Sequence, residues 1–403
     1  MRVYQINVVC GNGSTGRIAV NLSRLIQSGG GECRIAYGRG ECALKGIDCF
    51  KISSEIDTYI HAFLTRATDR HGLYSKKATV KLINDIKQYA PDIIHLHNLH
   101  GYYLNYEILF AFLKNYKRPV LWTMHDCWAF TGHCAHYDAV GCMKWREGCD
   151  HCPILHNYPA TFYGGNVIDN YIRKKKSFTS ISNLMIVTPS YWLMDQLSKS
   201  FLRSIERITI PNGVDLRKFR PTQNNLREFY HCENKIFLVG VASVWTKNKG
   251  LNDFIKLRSM LDDRYAICLV GLTKEQIRRL PEGIIGRRRT ESMEELAQYY
   301  SVADFFLNLT YEDTFSMVNM EALACGTPII AYATGGSPEI IQKMCGMIVE
   351  TGDLKAVVRL LSGEAQEKDY YHNACLERAS QYDKEECYKQ YINLYKKMIE
   401  EKL

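Results

Sequence analysis

The stretch YEDTFSMVNMEALACGTPIIAY, residues 311–332, compresses a strand end, a helix and a second strand. The preceding DFFLNLT closes a strand near Thr310, and the spacing predicts a helix opening between Thr314 and Ser316. That helix should stop at Gly326, a natural left-handed residue after a helix end, with Pro328 just beyond. PIIAYA then begins a new strand. Strand, helix and strand in that order form a parallel β-α-β unit.

The same rhythm runs outward in both directions. After residue 234, KIFLVGVAS, DFIKLRSML, YAICLVG, IIGRRRT and MEELAQYYSVA continue it. Before the junction, VYQINVV, a glycine loop, RIAVNLSRLIQ, CRIAYG, PDIIHLHN, PVLWTMHD and LMIVTPS form a separate series. RITIPNGVDLRKFRP, residues 207–221, interrupts the rhythm with Pro and Asn-Gly and reads as a linker. The expected fold is α/β: two doubly wound Rossmann-like domains, 1–210 and 211–382, facing across a cleft. The amphipathic segment 383–403 should pack back on the first. In such sheets ligands bind at the carboxyl ends of the strands.

At 403 residues the chain exceeds one ordinary core, which also favours two domains. It has no apolar run of 18 residues and opens directly on a strand, so a cytoplasmic protein is expected, without signal peptide or membrane span. The net charge of +8 is mild. Its basic runs, RKKK at 173–176 and RRR at 287–289, are solvated faces or contacts for an anionic substrate or a membrane surface. Ten of the fifteen cysteines are scattered in strand- or helix-like contexts, as small buried hydrophobes, and no disulfide framework is expected.

The helix at 314–326 points its free amides, at Phe315, Ser316, Met317 and Val318, toward the expected cleft. Those amides and the helix dipole favour an anion. Glu321 lies one turn further along, on the face of Met317 and Val318. Two readings stand: a carboxylate that accepts hydrogen bonds from a ribose, or an ordinary acid of the helix's amino-terminal half.

An acid, seven residues, then Glu321, followed by GTP and TGGSPEII (334–341), resembles the signature of retaining GT-B glycosyltransferases of family 4. Lys249-Gly250 after a strand, IPNGVDLRKFRP, TPSYWL and TMHD match that family in the right order. PDIIHLHNLHGYYLN and EALACGTP resemble its colanic-acid or exopolysaccharide branch. The resemblance covers about residues 1 to 345. It implies that Glu321 holds the donor ribose, Asp313 contacts the transferred sugar, Lys249 neutralises the diphosphate and His125 lies beneath the donor sugar. Gly335 and Gly336 occupy the family's glycine-pair loop. Two positions depart from the pattern. Asp313 is shorter than the usual Glu, with Glu312 beside it, and Ser243 stands where an Arg is usual, leaving Lys247, Arg287 or Arg289 to compensate.

GNGSTGR, residues 11–17, matches the dinucleotide fingerprint, but RIAYGRG brings no acid to the end of the second strand, which disfavours a dehydrogenase. Gly13 and Gly16 are instead expected to let the loop approach a donor phosphate or the acceptor, and Arg17 belongs to that glycine loop or is a plain surface residue. His95, His97 and His100 suggest a metal, but no carboxylate completes a ligand triad there, which leaves a binding or a satisfied-core role. His95, His97 and Asn98, at a strand end, are expected on the acceptor side. His125-Asp126 lacks the G-x-S-x-G elbow of a hydrolase.

The insert 127–160 differs from the rest of the chain. Cys134, Cys142, Cys149 and Cys152 run C-x7-C-x6-C-x2-C beside Cys127, His133, His136 and His151. A structural zinc ion is one reading and separately buried thiols the other. No basic recognition helix follows, so no nucleic-acid partner is expected. The expectation is a glycosyltransferase moving a hexosyl unit from a nucleoside-diphosphate sugar to a glycan or lipid-linked acceptor with retention, in capsular, exopolysaccharide or O-antigen-type synthesis. It would need no metal for catalysis and could touch the membrane peripherally. A GT-B phosphorylase, a nucleotide-sugar epimerase and a non-catalytic zinc and polyanion-binding module are the alternatives.

Overall fold

The computed structural model describes every residue except 43, 163, 164, 365–367, 402 and 403, so the last two positions of the predicted terminal helix lie outside the described residues. The chain divides into two compact units, Met1–Pro211 with Tyr388–Leu403, and Asn212–Cys387.

Unit 1 carries seven strands: β1 (Arg2–Val9), β2 (Glu32–Arg39), β3 (Asp48–Lys51), β4 (Ile93–Leu96), β5 (Val120–Thr123), β6 (Leu184–Thr188) and β7 (Glu206–Thr209). They are ordered β3-β2-β1-β4-β5-β6-β7 and all pair in parallel. Unit 2 carries β8 (Ile236–Val241), β9 (Tyr265–Val270), β10 (Ile284–Arg287), β11 (Phe305–Asn308), β12 (Ile329–Tyr332) and β13 (Gly346–Val349). Their order is β10-β9-β8-β11-β12-β13, also parallel throughout. Strands β4, β5, β6, β9, β11 and β12 are buried at every position, as sheets with helices on both faces require. The connection reverses direction between β1 and β4 in unit 1 and between β8 and β11 in unit 2. Each reversal opens a crevice at the strands' carboxyl ends.

The helix Lys384–Glu400 begins in unit 2 and ends in unit 1. In unit 2, the Val214 amide donates to the Tyr382 carbonyl, and the Val214 carbonyl accepts from the Lys384 amide. In unit 1, Tyr395 donates its hydroxyl toward His95 Nδ1 at 2.7 Å, and Thr123 Oγ1 bonds the Tyr391 hydroxyl at 3.2 Å.

Three expectations need correction. The helix after Thr310 starts later than its apolar pattern suggested, at Met317–Ala324 with Ser316 as its cap, so the Phe315 amide precedes the helix. Buried Asn308 draws the cap outward by donating to Ser316 Oγ and Asn319 Oδ1. The loop between β2 and β3 carries a Cys42–Cys49 disulfide, with Cys10 Sγ 3.0 Å from Cys42 Sγ, where dispersed thiols were expected. The basic run 173–176 is not a uniform charged face. Lys174 is buried, and Arg173 pairs with Asp169 and Glu107.

Candidate functional site

In unit 2 three loops converge at the crevice between β8 and β11. The first is the turn ending at Lys249-Gly250, the second runs from Thr310 to Ser316, and the third is Thr334–Gly336. Gly250 caps the helix Leu251–Met260 with φ +80°, and a side chain there would collide with the Leu309 carbonyl. Gly335 has φ +54°, and a Cβ there would strike the Asp313 carbonyl oxygen. Only glycine suits both contacts. Asn248 O accepts from the Tyr311 amide at 2.8 Å, Gly336 N donates to Thr314 O at 3.2 Å, and Thr334 Oγ1 donates to Thr310 O at 2.9 Å.

Within this frame Lys249 Nζ lies 3.5 Å from Asp313 Oδ2 and donates to Glu312 O at 3.0 Å. The amides of Met317, Val318 and Asn319 begin the helix behind that pair. Glu321 is only 3 % exposed, and its Oε2 accepts from the Tyr300 hydroxyl at 2.9 Å. The carboxylate is therefore a buried, oriented acceptor rather than a surface helix acid. Asp253, also buried, accepts from Tyr311 at 2.6 Å and Tyr332 at 2.7 Å and ties the second loop and the end of β12 to one helix.

Arg287 is the predicted cation that the fold moves away. It ends β10, the edge strand two places from the crevice, and its guanidinium is bonded to Glu295 at 2.8 Å, which raises its pKa. Arg289 is exposed on the same segment. Ser243 and Lys247 are both exposed in the turn after β8, the turn that also carries Lys249.

In unit 1 the helix Gly13–Ser28 starts inside the glycine loop after β1, with Gly16 buried and Arg17 half-buried on its first turn. Asn12 caps it without a side-chain bond, and no acid occupies the first turn, so its amides keep their pull on an anion. His95, in β4, and His97, just after it, are buried, and His125 follows β5 half-buried.

The ring nitrogens of these histidines have assigned partners. His95 uses Nδ1 toward Tyr395 and Nε2 toward Thr123 at 2.8 Å, which makes it a core residue rather than an acceptor ligand. Gln5 Nε2 donates to the Ala19 carbonyl at 2.9 Å, so Gln5 Oε1 must accept from His97 Nε2 at 3.0 Å. His97 Nδ1 is then a lone pair, and His125 Nε2 donates to it at 3.1 Å. Burial holds the His95 and His97 pKa values well down and lowers that of His125 to about 4. The row is neutral at pH 7.

Asn98 follows β4, and its carbonyl accepts from Tyr103 at 2.7 Å. Asp126 bonds His100 at 2.6 Å rather than His125. Burial raises its pKa, but the His100 charge and hydrogen bond prevail and hold it at about 2. Cys134, Cys142, Cys149 and Cys152 line one small pocket of the 127–160 insert. Gln5, Tyr300 and Asp253, which hold residues of the candidate site, are ones that no motif announced. Only the fold brings them to their partners.

A family model described as Glycosyltransferase Family 4 matches residues 15–218, half of the chain, and one described as Glycosyl transferases group 1 matches residues 233–363. The chain belongs to glycosyltransferase family 4. Across 422 aligned residues this family 4 chain is 24 % identical to WcaC of Escherichia coli strain K12, covering 99 % of this chain and all of that one. WcaC's name places it in colanic acid biosynthesis as a glycosyl transferase. The fold is GT-B. It resembles sucrose-phosphate synthase from Thermosynechococcus elongatus with a TM-score of 0.73 at 16 % identity, over 98 % of each chain. It resembles Anabaena HepE, solved with UDP-glucose, with a TM-score of 0.68 at 15 % identity, over 98 % of this chain and all of that one. Among the described residues of this family 4 enzyme, no helix is long and apolar enough to cross a membrane.

Proposed function

We propose that this glycosyltransferase moves a hexosyl unit from a nucleoside-diphosphate sugar to a glycan or lipid-linked acceptor, with retention of configuration, during exopolysaccharide or capsule assembly. The observation that carries the donor assignment is the arrangement in unit 2. A cation (Lys249) on the turn after β8, a set of helix amides (317–319) after β11 and a buried carboxylate (Glu321) further along that helix belong to the elements that flank one crevice. That arrangement fits diphosphate on the first two and ribose on the third. HepE with UDP-glucose supports a nucleotide-sugar donor, and WcaC supports a surface-polysaccharide product.

Lys249 and the amides would stabilise the negative charge that builds on the leaving diphosphate, work that divalent cations perform elsewhere. Asp313, already paired with Lys249, is poorly placed to attack the anomeric carbon and better placed to hold a sugar hydroxyl. The bond from the anomeric carbon to the diphosphate breaks as the acceptor oxygen bonds on the same face. The departing phosphate oxygen takes the acceptor's proton. Unit 1, with its neutral His125 just after β5, is assigned the acceptor.

The helix Glu55–Thr68 of unit 1 leaves Ile56, Tyr59, Ile60 and Phe63 exposed at i, i+3, i+4 and i+7 spacing, with Tyr59 at 75 %. We assign this apolar stripe, rather than the basic run at 173–176, to a peripheral membrane or lipid-acceptor contact.

The test combines donor screening with product analysis. The cognate nucleoside diphosphate among UDP, GDP and ADP, at a hundred times its dissociation constant, should stabilise the fold by about 2.7 kcal/mol. A transferase releases nucleoside diphosphate from the matching sugar nucleotide only when acceptor is added. An epimerised sugar nucleotide without acceptor, or no product under any condition, overturns the proposal.

A further inference from the structure

The insert 127–160 builds its own small core in unit 1, from Phe130, Tyr137 and Trp145, whose rings approach at 5.0 and 5.1 Å. It has only three short turns of helix, Trp128–Phe130, Asp138–Val140 and Lys144–Arg146. So little regular structure needs another source of order. Four thiols unused by the transfer chemistry converge here. Cys134, Cys142, Cys149 and Cys152 come from separate turns, and all line one pocket. Three of them are only half-buried, unlike the fully buried Cys268 and Cys375 of unit 2.

The surroundings are arranged for thiolates. Gly132 N–H donates to Cys149 Sγ at 3.1 Å, Ile154 N–H to the sulfur of Cys152, and Cys134 is hydrogen-bonded to Cys152. The Ile154 amide lies two residues after the second cysteine of the C-x2-C pair. An N–H aimed at sulfur rewards a negative charge there. Lys174 is buried beside the pocket. Its Nζ donates to Trp128 O at 2.7 Å and Thr131 O at 3.0 Å, lies 3.7 Å from the Trp128 ring centroid and interacts electrostatically with Cys134 and Cys149. Asp126 and Asp69 also act on it electrostatically, and thiolates would add to the anionic surroundings that a buried ammonium requires. Buried His133 lines the same pocket. Its Nδ1 is held by Asp69 at 2.7 Å, and its Nε2 has no hydrogen-bond partner among the described residues. Such a ring is placed to donate to a metal-bound sulfur.

We propose that Cys134, Cys142, Cys149 and Cys152 hold one zinc ion in a closed four-thiolate site that staples this insert. Each thiol releases its proton to solvent on ligation, and the site carries a net double negative charge that Lys174 offsets. With Zn–S at about 2.3 Å, the sulfurs must close to about 3.8 Å from one another. No three of them lie within 4.8 Å among the described residues, so ligation draws the turns inward. With four protein ligands the ion has no open position, and its work is structural. The staple holds the segment leaving His125, where Asp126 already bonds His100 and the Trp128 amide.

The test uses the full chain, purified reduced and without chelator. Elemental analysis should find about one zinc per chain, and a mercurial should release it as thiols are titrated. Cobalt(II) exchanged into the site should give the absorption of a tetrahedral thiolate complex. The double variant Cys142→Ser/Cys149→Ser removes two half-buried ligands and should lose both metal and spectrum, while Cys232→Ser keeps both. The variants' folding is checked by nucleotide-induced thermal shift, which reads unit 2. Zinc below about a tenth of an equivalent with no cobalt spectrum in the parent protein overturns the proposal. So does a spectrum that survives the double substitution. Neither result touches the transferase assignment.

Discussion

Lys249 Nζ and Asp313 Oδ2 stand 3.5 Å apart, so the cation assigned to the donor diphosphate is already neutralised in part by the acid assigned to the donor sugar. The pair is open to solvent, with side chains 39 % and 22 % exposed, and such pairs contribute little to stability. Its value lies in placement. Lys249 is held over the Glu312 carbonyl, where an incoming phosphate can compete for it.

Lys249→Ala should therefore cost activity much more than stability. Loss of one charge-stabilising donor in a preorganised site lowers kcat by about 100- to 1000-fold. The melting temperature should barely move, because the lost pair is exposed. Turnover per folded molecule is the decisive measurement. An unaffected rate in a less stable protein would make Lys249 structural.

Glu321→Gln should weaken nucleoside-diphosphate binding ten- to a hundredfold, since a hydrogen bond to a charged group contributes roughly 1.5–3 kcal/mol. Tyr300 can still donate to the amide oxygen, so the variant should fold. Calorimetric titration with the cognate diphosphate reads the change directly. Equal affinity in variant and parent excludes Glu321 from the ribose.

Gly335→Ala tests the loop rather than a charge. The added Cβ meets the Asp313 carbonyl at a backbone angle that favours glycine, so either the loop or Asp313 must move. Left-handed backbone at a non-glycine residue costs about 1–2 kcal/mol before any clash. Donor titration should show weaker binding together with a lower melting temperature. A variant identical to the parent in both would show that the loop yields freely.

These positions differ in how visible they were. The alternation of strands and helices is written in apolar runs, and it places His97 and His125 just past strand ends, Lys249 and Asp313 in the loops after β8 and β11, and Glu321 on the helix that follows β11. Gly335 showed itself through the glycine pair. Tyr300 and Gln5 did not, because their partners lie 21 and 92 residues away and are chosen by tertiary packing. Lys174 was read as part of a charged run. Its burial depends on carbonyls at Trp128 and Thr131, more than forty residues earlier. The helix start slipped because Asn308, on the preceding strand, recruits Ser316 and Asn319.

The neutral histidines predict an acid limit. Burial lowers the His125 pKa to about 4, below the ordinary value of about 6.5. A histidine with a depressed folded pKa stabilises the fold fully above pH 6.5 and loses that contribution as pH falls toward 4. His95 and His97 act in the same direction. Melting temperature should fall on acidification from pH 7 to pH 5, and His125→Gln, which cannot titrate, should show a smaller fall. Equal falls in both proteins would assign the limit to other groups.

The terminal helix gives the last test. Tyr395 is fully buried and bonds His95 Nδ1 at 2.7 Å, while His95 Nε2 bonds Thr123, itself tied to Tyr391. Tyr395→Phe keeps the ring and removes only the hydroxyl, leaving a buried nitrogen without its partner. An unsatisfied buried polar group costs about 1–3 kcal/mol. In a unit of this size each kcal/mol is about 2–4 °C of melting temperature. Removing residues 388–403 strips both tyrosines and exposes the β4–β5 surface, so that truncation should be insoluble or inactive. Tyr59→Phe, on an exposed face of the same unit, should leave melting unchanged. If Tyr395→Phe melts with the parent and the truncated chain stays soluble and active, the helix is not the clamp on His95 that these bonds describe.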